Sequence, residues 1–220
     1  RMINYPGILE AIEDATRLVN AMTKKCVIIG KQYNGGYSCG KGVIMGDSKT
    51  QKTPDMLRRF GQFVESLNGR LQTGTDVNIN LDDIKYMAEK CRFIDGLETG
   101  LGDTAVPTAH GVFVAMKVLS AHVFKDSNLK KKIIAVQGVG SVGSNLIARL
   151  VKEKAKVVAT DIDSKKLKLV SKRYNVDTVL PDEIYSVQCD IFSPNAYGGL
   201  LTNRNIQRLK CGMIIGGANN

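Results

Sequence analysis

Two α/β domains, the second built on a doubly wound parallel sheet, are what this 220-residue sequence predicts. Three observations carry that reading. Before residue 124, apolar residues recur at helical spacing in several segments, separated by short apolar runs. After the polar stretch "FKDSNLKKK" at 124–132 the pattern becomes regular strand-helix alternation, which calls for parallel strands joined by crossover helices. The first junction of that second half is a run of glycines. The division gives a first domain over 1–123 and a second over 124–220.

Taken in order, residues 8–22 place Ile8, Ile12, Ala15, Leu18, Val19 and Met22 on one helical face, and "CVII" at 26–29 reads as a short buried strand. "VIM" at 43–45 reads as another, closed by Gly46-Asp47. Thr53 can cap a second helix, Pro54 suits its first turn, and Asn68-Gly69 should end it after the apolar set Leu57, Phe60, Val64 and Leu67. "RLQTGTDV" reads as a strand running into a turn, and "NLDDIKYMAEK" as a helix. Ala109, Val112, Phe113, Met116 and Leu119 mark a longer helix before the linker. Beyond it come the strand "IIAVQ", a helix on Val142, Leu146, Ile147 and Leu150, the strand "KVVATD", and short strands at "CDIF" and "GMIIG".

Composition removes several classes. At 43% hydrophobic and 24% charged residues the chain is globular, and no apolar run reaches the roughly 18 residues of a membrane span. Acidic residues in "RMINYPGILEAIED" argue against a secretory signal, so the expected compartment is the cytoplasm. Five scattered cysteines without a C-x-x-C pair open no zinc or redox motif and read as reduced structural thiols, although Cys39 lies two residues before Lys41. The two histidines, His110 and His122, have no metal-site partner and take no catalytic role. An excess of 31 Lys+Arg over 21 Asp+Glu gives +10, yet no aromatics are interleaved with the lysines, so a solvated surface is favoured over a nucleic-acid partner.

Gly138-Val139-Gly140-Ser141-Val142-Gly143 is G-x-G-x-x-G, set between an apolar strand and an amphipathic helix, with Asp161 closing the next strand 18 residues later. In a dinucleotide-binding, Rossmann-type turn Gly138 permits the bend and Gly140 lets backbone approach a pyrophosphate. Gly143 lets helix and strand pack closely. The first helical turn, from Ser141 and Val142, offers N–H groups to the phosphates. Asp161 would accept from the adenosine ribose and repel a 2′-phosphate, which favours NAD over NADP. The competing reading is a structural turn with an ordinary aspartate.

"GGYSCGKG" at 35–42 matches a phosphate loop in its glycines and Lys41, but position 42 is glycine where a metal-binding hydroxyl is required, and a strand follows where a helix should. The alternative is a loop presenting lysine. Lys25 and Lys41 bracket it, and a lysine partly withdrawn from water beside another cation can act as a base near neutral pH. Asp76 in "TGTD" could move protons with it.

At these residues the sequence resembles the glutamate/leucine/phenylalanine/valine dehydrogenases, which oxidatively deaminate L-amino acids with NAD(P)⁺. "AIEDATRLVNAMTKK" resembles the helix whose terminal lysine holds the substrate carboxylate, which implies that role for Lys25. "GKGVIMGD" resembles the catalytic-lysine segment, implying Lys41, and "LNGRLQTGTDVN" the catalytic-aspartate segment, implying Asp76. Gly40 and Gly74 fall beside these residues on the substrate side, and room at Gly74 would lean toward large side chains. "VPTAHGVFVAMK" resembles the domain-connecting helix, which puts Thr108 near the nicotinamide. "CDIFSPNAYGG" resembles a later cofactor-side loop, and "GGANN" the strand end whose Asn220 approaches the nicotinamide ribose.

The resemblance implies NAD-dependent oxidation of an apolar amino acid, since no second cation is evident for the side chain of glutamate. It also implies a homo-oligomer. Departures are equally specific. Between the lysines about four residues are added, enough to move Lys41 by several ångströms. Against the family the chain starts after an N-terminal segment and stops before the last strands, so the second domain is expected to be incomplete. A catalytically inactive NAD-binding member is the competing expectation.

Overall fold

The computed structural model describes residues 1–32, 39–97 and 103–218. They fall into two units, Arg1–Thr104 and Ala105–Asn220. The first opens with strand β1 (Met2–Ile3) and helix α1 (Ile8–Gln32), followed by β2 (Ile44–Met45), α2 (Pro54–Ser66) and α3 (Leu81–Ala88). β1 and β2 pair in parallel, Met2 opposite Ile44 and Ile3 opposite Met45, because the α1 crossover returns the chain in the same direction.

Local chemistry fixes the shorter helices. Thr53 accepts from the Met56 N–H at 3.2 Å, Pro54 occupies the first turn, and Asn68 and Gly69 leave α2 with left-handed φ of 49° and 80°. Asn80 and Asp83 form a reciprocal capping box at the start of α3. α2 and α3 enclose a core of Leu57, Val64, Ile79, Ile84 and Met87, with Met2 of β1 fully buried against it.

Two expectations fail in this unit. "CVII" is not a strand: Cys26 to Ile29 continue α1. No glycine or proline interrupts the chain between Ile8 and Ile29, and adding one residue to an existing helix costs far less than nucleating a strand. "RLQTGTDV" forms no strand either. It contributes only isolated bridges, Thr73 with Ile94 and Asp76 with Ile79. The buried stripe of α1 also differs from the expected face, since Ala11 and Leu18 are buried while Ile8 and Ile12 stay 67% and 56% exposed. Those isoleucines line an open apolar groove of about 450 Å³ with Phe60, Phe63, Leu67 and Leu71.

The second unit begins with α4 (Ala105–Phe124), so the units divide between Thr104 and Ala105 and not near 124. The reason is packing. Ala109, Val112 and Met116 of α4 share one core with Leu129, Ile134, Leu146, Ile147 and Leu150. The supposed linker is tied down too, with Leu129 fully buried. After it come β3 (Ile133–Gln137), α5 (Ser141–Lys152), β4 (Lys156–Thr160), α6 (Ser164–Tyr174), β5 (Asp177–Thr178), a 3₁₀ turn at Glu183–Ser186, β6 (Ile191–Pro194), α7 (Asn203–Ile206) and β7 (Met213–Ile214). All neighbours are parallel, in the order β5-β4-β3-β6-β7. The order reverses between β3 and β6, the doubly wound arrangement expected, and ligands of such sheets bind beyond the carboxyl ends of the strands at that reversal.

A measurement of α2–α3 packing follows from Gly61. A Cβ there would lie 2.3 Å from the Met87 carbonyl oxygen, a backbone atom that cannot turn aside. Helix propensity alone predicts that Gly61→Ala stabilises by about 1 kcal/mol, whereas overpacking predicts a loss of about 1–3 kcal/mol. Sterics should win, and urea denaturation reads the sign directly.

Candidate functional site

The first cluster surrounds the Asp76 carboxylate. The backbone of Asp76 is fixed by a tight reciprocal pair with Ile79, its N–H donating to the Ile79 carbonyl at 3.1 Å and its carbonyl accepting in return at 2.9 Å. Its Oδ1 accepts from the Val77 N–H at 2.6 Å, and its Oδ2 accepts from Lys41 Nζ. Both side chains are largely withdrawn from water, 13% exposed for Lys41 and 18% for Asp76. Burial pushes the Asp76 carboxyl up, but the Lys41 ammonium and the Val77 N–H outweigh it and hold the group at about 2. The two residues that the sequence pairs are therefore brought together as a shielded ion pair, able to pass a proton between a nitrogen and an oxygen.

Sequence reasoning missed the second layer. The Arg1 guanidinium, 4% exposed, lies 3.6 Å from Asp76 and donates to Asp14 at 2.8 Å. Asp14 also accepts from Tyr5 at 2.5 Å and Arg17 at 2.6 Å. Burial would raise the Asp14 carboxyl, yet these donors lower it. The Tyr5 hydroxyl, half-buried against the carboxylate, is pushed up to about 12. Burial acts to lower the Arg1 guanidinium, and Asp76 and Asp14 reverse that. A signal existed in the sequence: Asp14 falls on the Ala11–Asp14–Leu18 stripe that α1 buries, where an acidic residue needs a partner.

The other first-unit candidates are placed differently. Lys25 is exposed on α1, and its neighbour Cys26 brings that turn to Cys39, sulfur to sulfur at 3.0 Å, two residues before Lys41. A Cβ on Gly40 would stand 2.6 Å from the tip of the Leu71 side chain. Gly74 does not open room beside Asp76. Its missing side chain is replaced by the Asp95 carbonyl oxygen, 2.7 Å from where a Cβ would stand, so the lean toward large side chains loses its basis.

In the second unit the glycine turn closes as its pattern demands. Gly138 turns with φ of 92° against the backbone of Asn195 and Ala196, where a Cβ would meet the Ala196 nitrogen at 2.8 Å. Gly143 packs so closely that a Cβ would stand 1.9 Å from the Gly138 carbonyl oxygen. A Cβ on Gly140, by contrast, would meet nothing within 4 Å, and α5 begins there with no side chain capping its N–H groups. An open approach at Gly140 and uncapped amides from Ser141 and Val142 fit a pyrophosphate. Asp161 is held at the end of β4 by the Val139 N–H at 2.7 Å and the Asp163 N–H at 2.8 Å.

At the sheet's reversal point, Thr108, Val142 and Asn195 converge on Gly217, all within 3.7 Å of where a Cβ on it would be. Asn195 was named only as part of its loop. Its amide nitrogen donates to Ser193, and its Oδ1 accepts from the Gly217 N–H at 3.0 Å, joining the ends of β6 and β7. Asn220 lies outside the described residues. Among the described residues no group of His, Cys, Asp and Glu could hold a metal ion, and no helix is long and apolar enough to cross a membrane.

The depressed Asp76 carboxyl sets an expectation for acid stability. A carboxyl at about 2 in the folded chain, against an ordinary 3.8, stabilises the fold above pH 3.8 by about 2 kcal/mol, and that contribution is lost as pH falls toward 2. Asp76→Asn should flatten the fall in denaturation midpoint between pH 4.5 and 2.5. Identical slopes in the two proteins would contradict a depressed carboxyl.

Comparison with known proteins matches this arrangement. The family model described as "Glu/Leu/Phe/Val dehydrogenase, dimerisation domain" covers residues 8–93, and "Glutamate/Leucine/Phenylalanine/Valine dehydrogenase" covers 100–167. A phenylalanine dehydrogenase of Lysinibacillus sphaericus is 40% identical over 100% of this chain and 59% of its own length. A leucine dehydrogenase of Thermoactinomyces intermedius is 39% identical over 100% of this chain and 60% of its own length. The crystal structure of L-tryptophan dehydrogenase from Nostoc punctiforme superimposes with a TM-score of 0.67 at 35% identity, over 100% of this chain and 61% of that one. The chain thus spans about three-fifths of the length of the curated relatives it matches. It belongs to the glutamate/leucine/phenylalanine/valine dehydrogenase family.

Proposed function

We propose that this chain carries the catalytic-lysine and dinucleotide-binding machinery of an NAD-dependent L-amino-acid dehydrogenase. The reaction is oxidative deamination of an apolar substrate of the leucine, valine or phenylalanine type to the 2-oxo acid and ammonia. The observation that supports it most is the shielded Lys41–Asp76 pair in the segments where the family carries its catalytic lysine and aspartate. The relatives are named as dehydrogenases of phenylalanine, leucine and tryptophan, which supports the apolar class.

In this reading NAD⁺ would supply the hydride acceptor; the Gly138–Gly143 turn would hold its phosphates and Asp161 its adenosine ribose. Gly140 would leave its phosphates room and Thr108 would lie on its nicotinamide side, the role that the family resemblance also implies for Asn220. Lys25 pairs with the substrate carboxylate. Once Lys41 has passed its ammonium proton to Asp76, its neutral amine orients a water toward the substrate's α-carbon and takes up the water's proton, and the pair then returns protons until ammonia leaves. Arg1 and Val77 keep Asp76 ionised and aimed at Lys41, so the pair stays charge-balanced while a proton passes through it. Asp161 favours NAD over its 2′-phosphorylated analogue by like-charge repulsion. The description of the first matched segment as a dimerisation domain supports a homo-oligomer.

The test is NADH formation with leucine, valine, isoleucine, phenylalanine and glutamate, with Lys41→Ala as control. Turnover of an apolar substrate that falls about 10²–10⁴-fold in the variant is expected. Turnover unaffected by the variant would sink the assignment of Lys41. Retained NADH binding with no turnover of any substrate would favour an inactive nucleotide-binding protein.

Cofactor choice has its own readout. Asp161→Ser should shift the ratio of kcat/KM for NAD⁺ over NADP⁺ at least about tenfold toward NADP⁺, equal to about 1.4 kcal/mol of discrimination. An unchanged ratio would remove Asp161 from the ribose site.

A further inference from the structure

We propose that Cys26 and Cys39 form a dithiol site that hydrogen peroxide closes into a reversible disulfide. The Sγ atoms lie 3.0 Å apart although their residues are thirteen apart in sequence, and neither is fully buried. Bonding requires the sulfurs to approach by only about 1 Å, a change that side-chain rotation and small backbone shifts can supply. Cys91 and Cys189 are buried, Cys189 within electrostatic reach of Cys211. A sequence scan for C-x-x-C could not find the pair, because a helix end and a returning segment bring it together in space.

The chemistry balances in two steps. The Cys26 thiolate attacks one peroxide oxygen, the O–O bond breaks, and the departing hydroxide becomes water, leaving a sulfenic acid on Cys26. The Cys39 sulfur then attacks the Cys26 sulfur, the S–OH bond breaks, and hydroxide leaves as water with the Cys39 proton. Two thiols and one peroxide give one disulfide and two waters, the peroxide being reduced. Cys39 is the later partner because burial and the neighbouring Cys26 push its thiol up to about 11, against a smaller opposing pull from Lys41. A thiol held protonated is a poor first nucleophile. The bond would join the turn of α1 that carries Lys25 to the residues just before Lys41.

The site is tested without reference to catalysis. The folded chain is treated with a few equivalents of hydrogen peroxide, blocked with N-ethylmaleimide, digested without reductant and analysed by mass spectrometry. The expected result is a Cys26–Cys39 linked peptide that dithiothreitol releases, with Cys91, Cys189 and Cys211 free of any link. Cys39→Ser should leave a Cys26 sulfenic acid that dimedone traps, while Cys26→Ser should give several-fold less dimedone adduct on Cys39. Circular dichroism of both serine variants before oxidation establishes that they are folded. Alkylation of Cys26 and Cys39 as independent thiols, or links spread indiscriminately over all five cysteines, would overturn the proposal.

Discussion

A carboxylate held out of water must be surrounded by positive charge or give up its own, and the first unit is arranged around that requirement. Asp76 cannot be reached by solvent on most sides, so Lys41, the Arg1 guanidinium and the Val77 N–H provide what water would have. Bringing them there dictates the local fold. The Met2 N–H donates to the Val77 carbonyl, Asn78 donates to the Met2 carbonyl, and the Arg1 backbone nitrogen donates to Gly42, so β1 is stitched at once to the aspartate turn and to the lysine strand. Asp14 then anchors the guanidinium to α1. A chain with the same hydrophobic pattern but an apolar residue at position 76 would have no electrostatic reason to hold these segments together.

The second unit is governed by contact distance more than by charge. Three backbone segments, the turn after β3, the loop after β6 and the chain after β7, meet where the strand order reverses, and each approach is closer than a side chain allows. Gly143 against Gly138 and Gly216 against Pro194 are such contacts, the latter with 2.1 Å left for a Cβ. Gly140 is the exception that gives the pattern its chemical sense. It faces open space, so the protein itself supplies no steric reason for glycine there, whereas a ligand that backbone must approach does.

What could be read from the sequence was local. The glycine turn, the cap at Thr53 and the alternation beyond residue 132 are short-range signals, and each has its structural counterpart. The Lys41–Asp76 pair was suggested by the failed phosphate loop and the nearby "TGTD" turn and was given its roles by the family resemblance; no periodicity could have supplied it. What could not be read was non-local. Arg1 meets Asp76 across most of the unit, and although the Ala109–Val112–Met116 stripe of α4 was visible, nothing in that stripe says which unit's core it joins. The "CVII" strand failed for a related reason: four β-branched or small apolar residues carry a weak preference that a long uninterrupted helix overrides. Gly74 shows the remaining hazard, since a small residue near the Asp76 carboxylate suggests space, and here backbone occupies it.

The uncovered stripe of α1 has a consequence for the colloidal behaviour of the chain. Ile8 and Ile12 line one groove with Phe63 as exposed apolar surface on a molecule of net charge +10. At low ionic strength, mutual repulsion keeps two such molecules apart. Added salt shortens the reach of that repulsion, and a strongly excluded salt such as sulfate also strengthens apolar association. Both effects act in one direction, so sulfate drives this chain toward self-association at a surface that its charge otherwise protects.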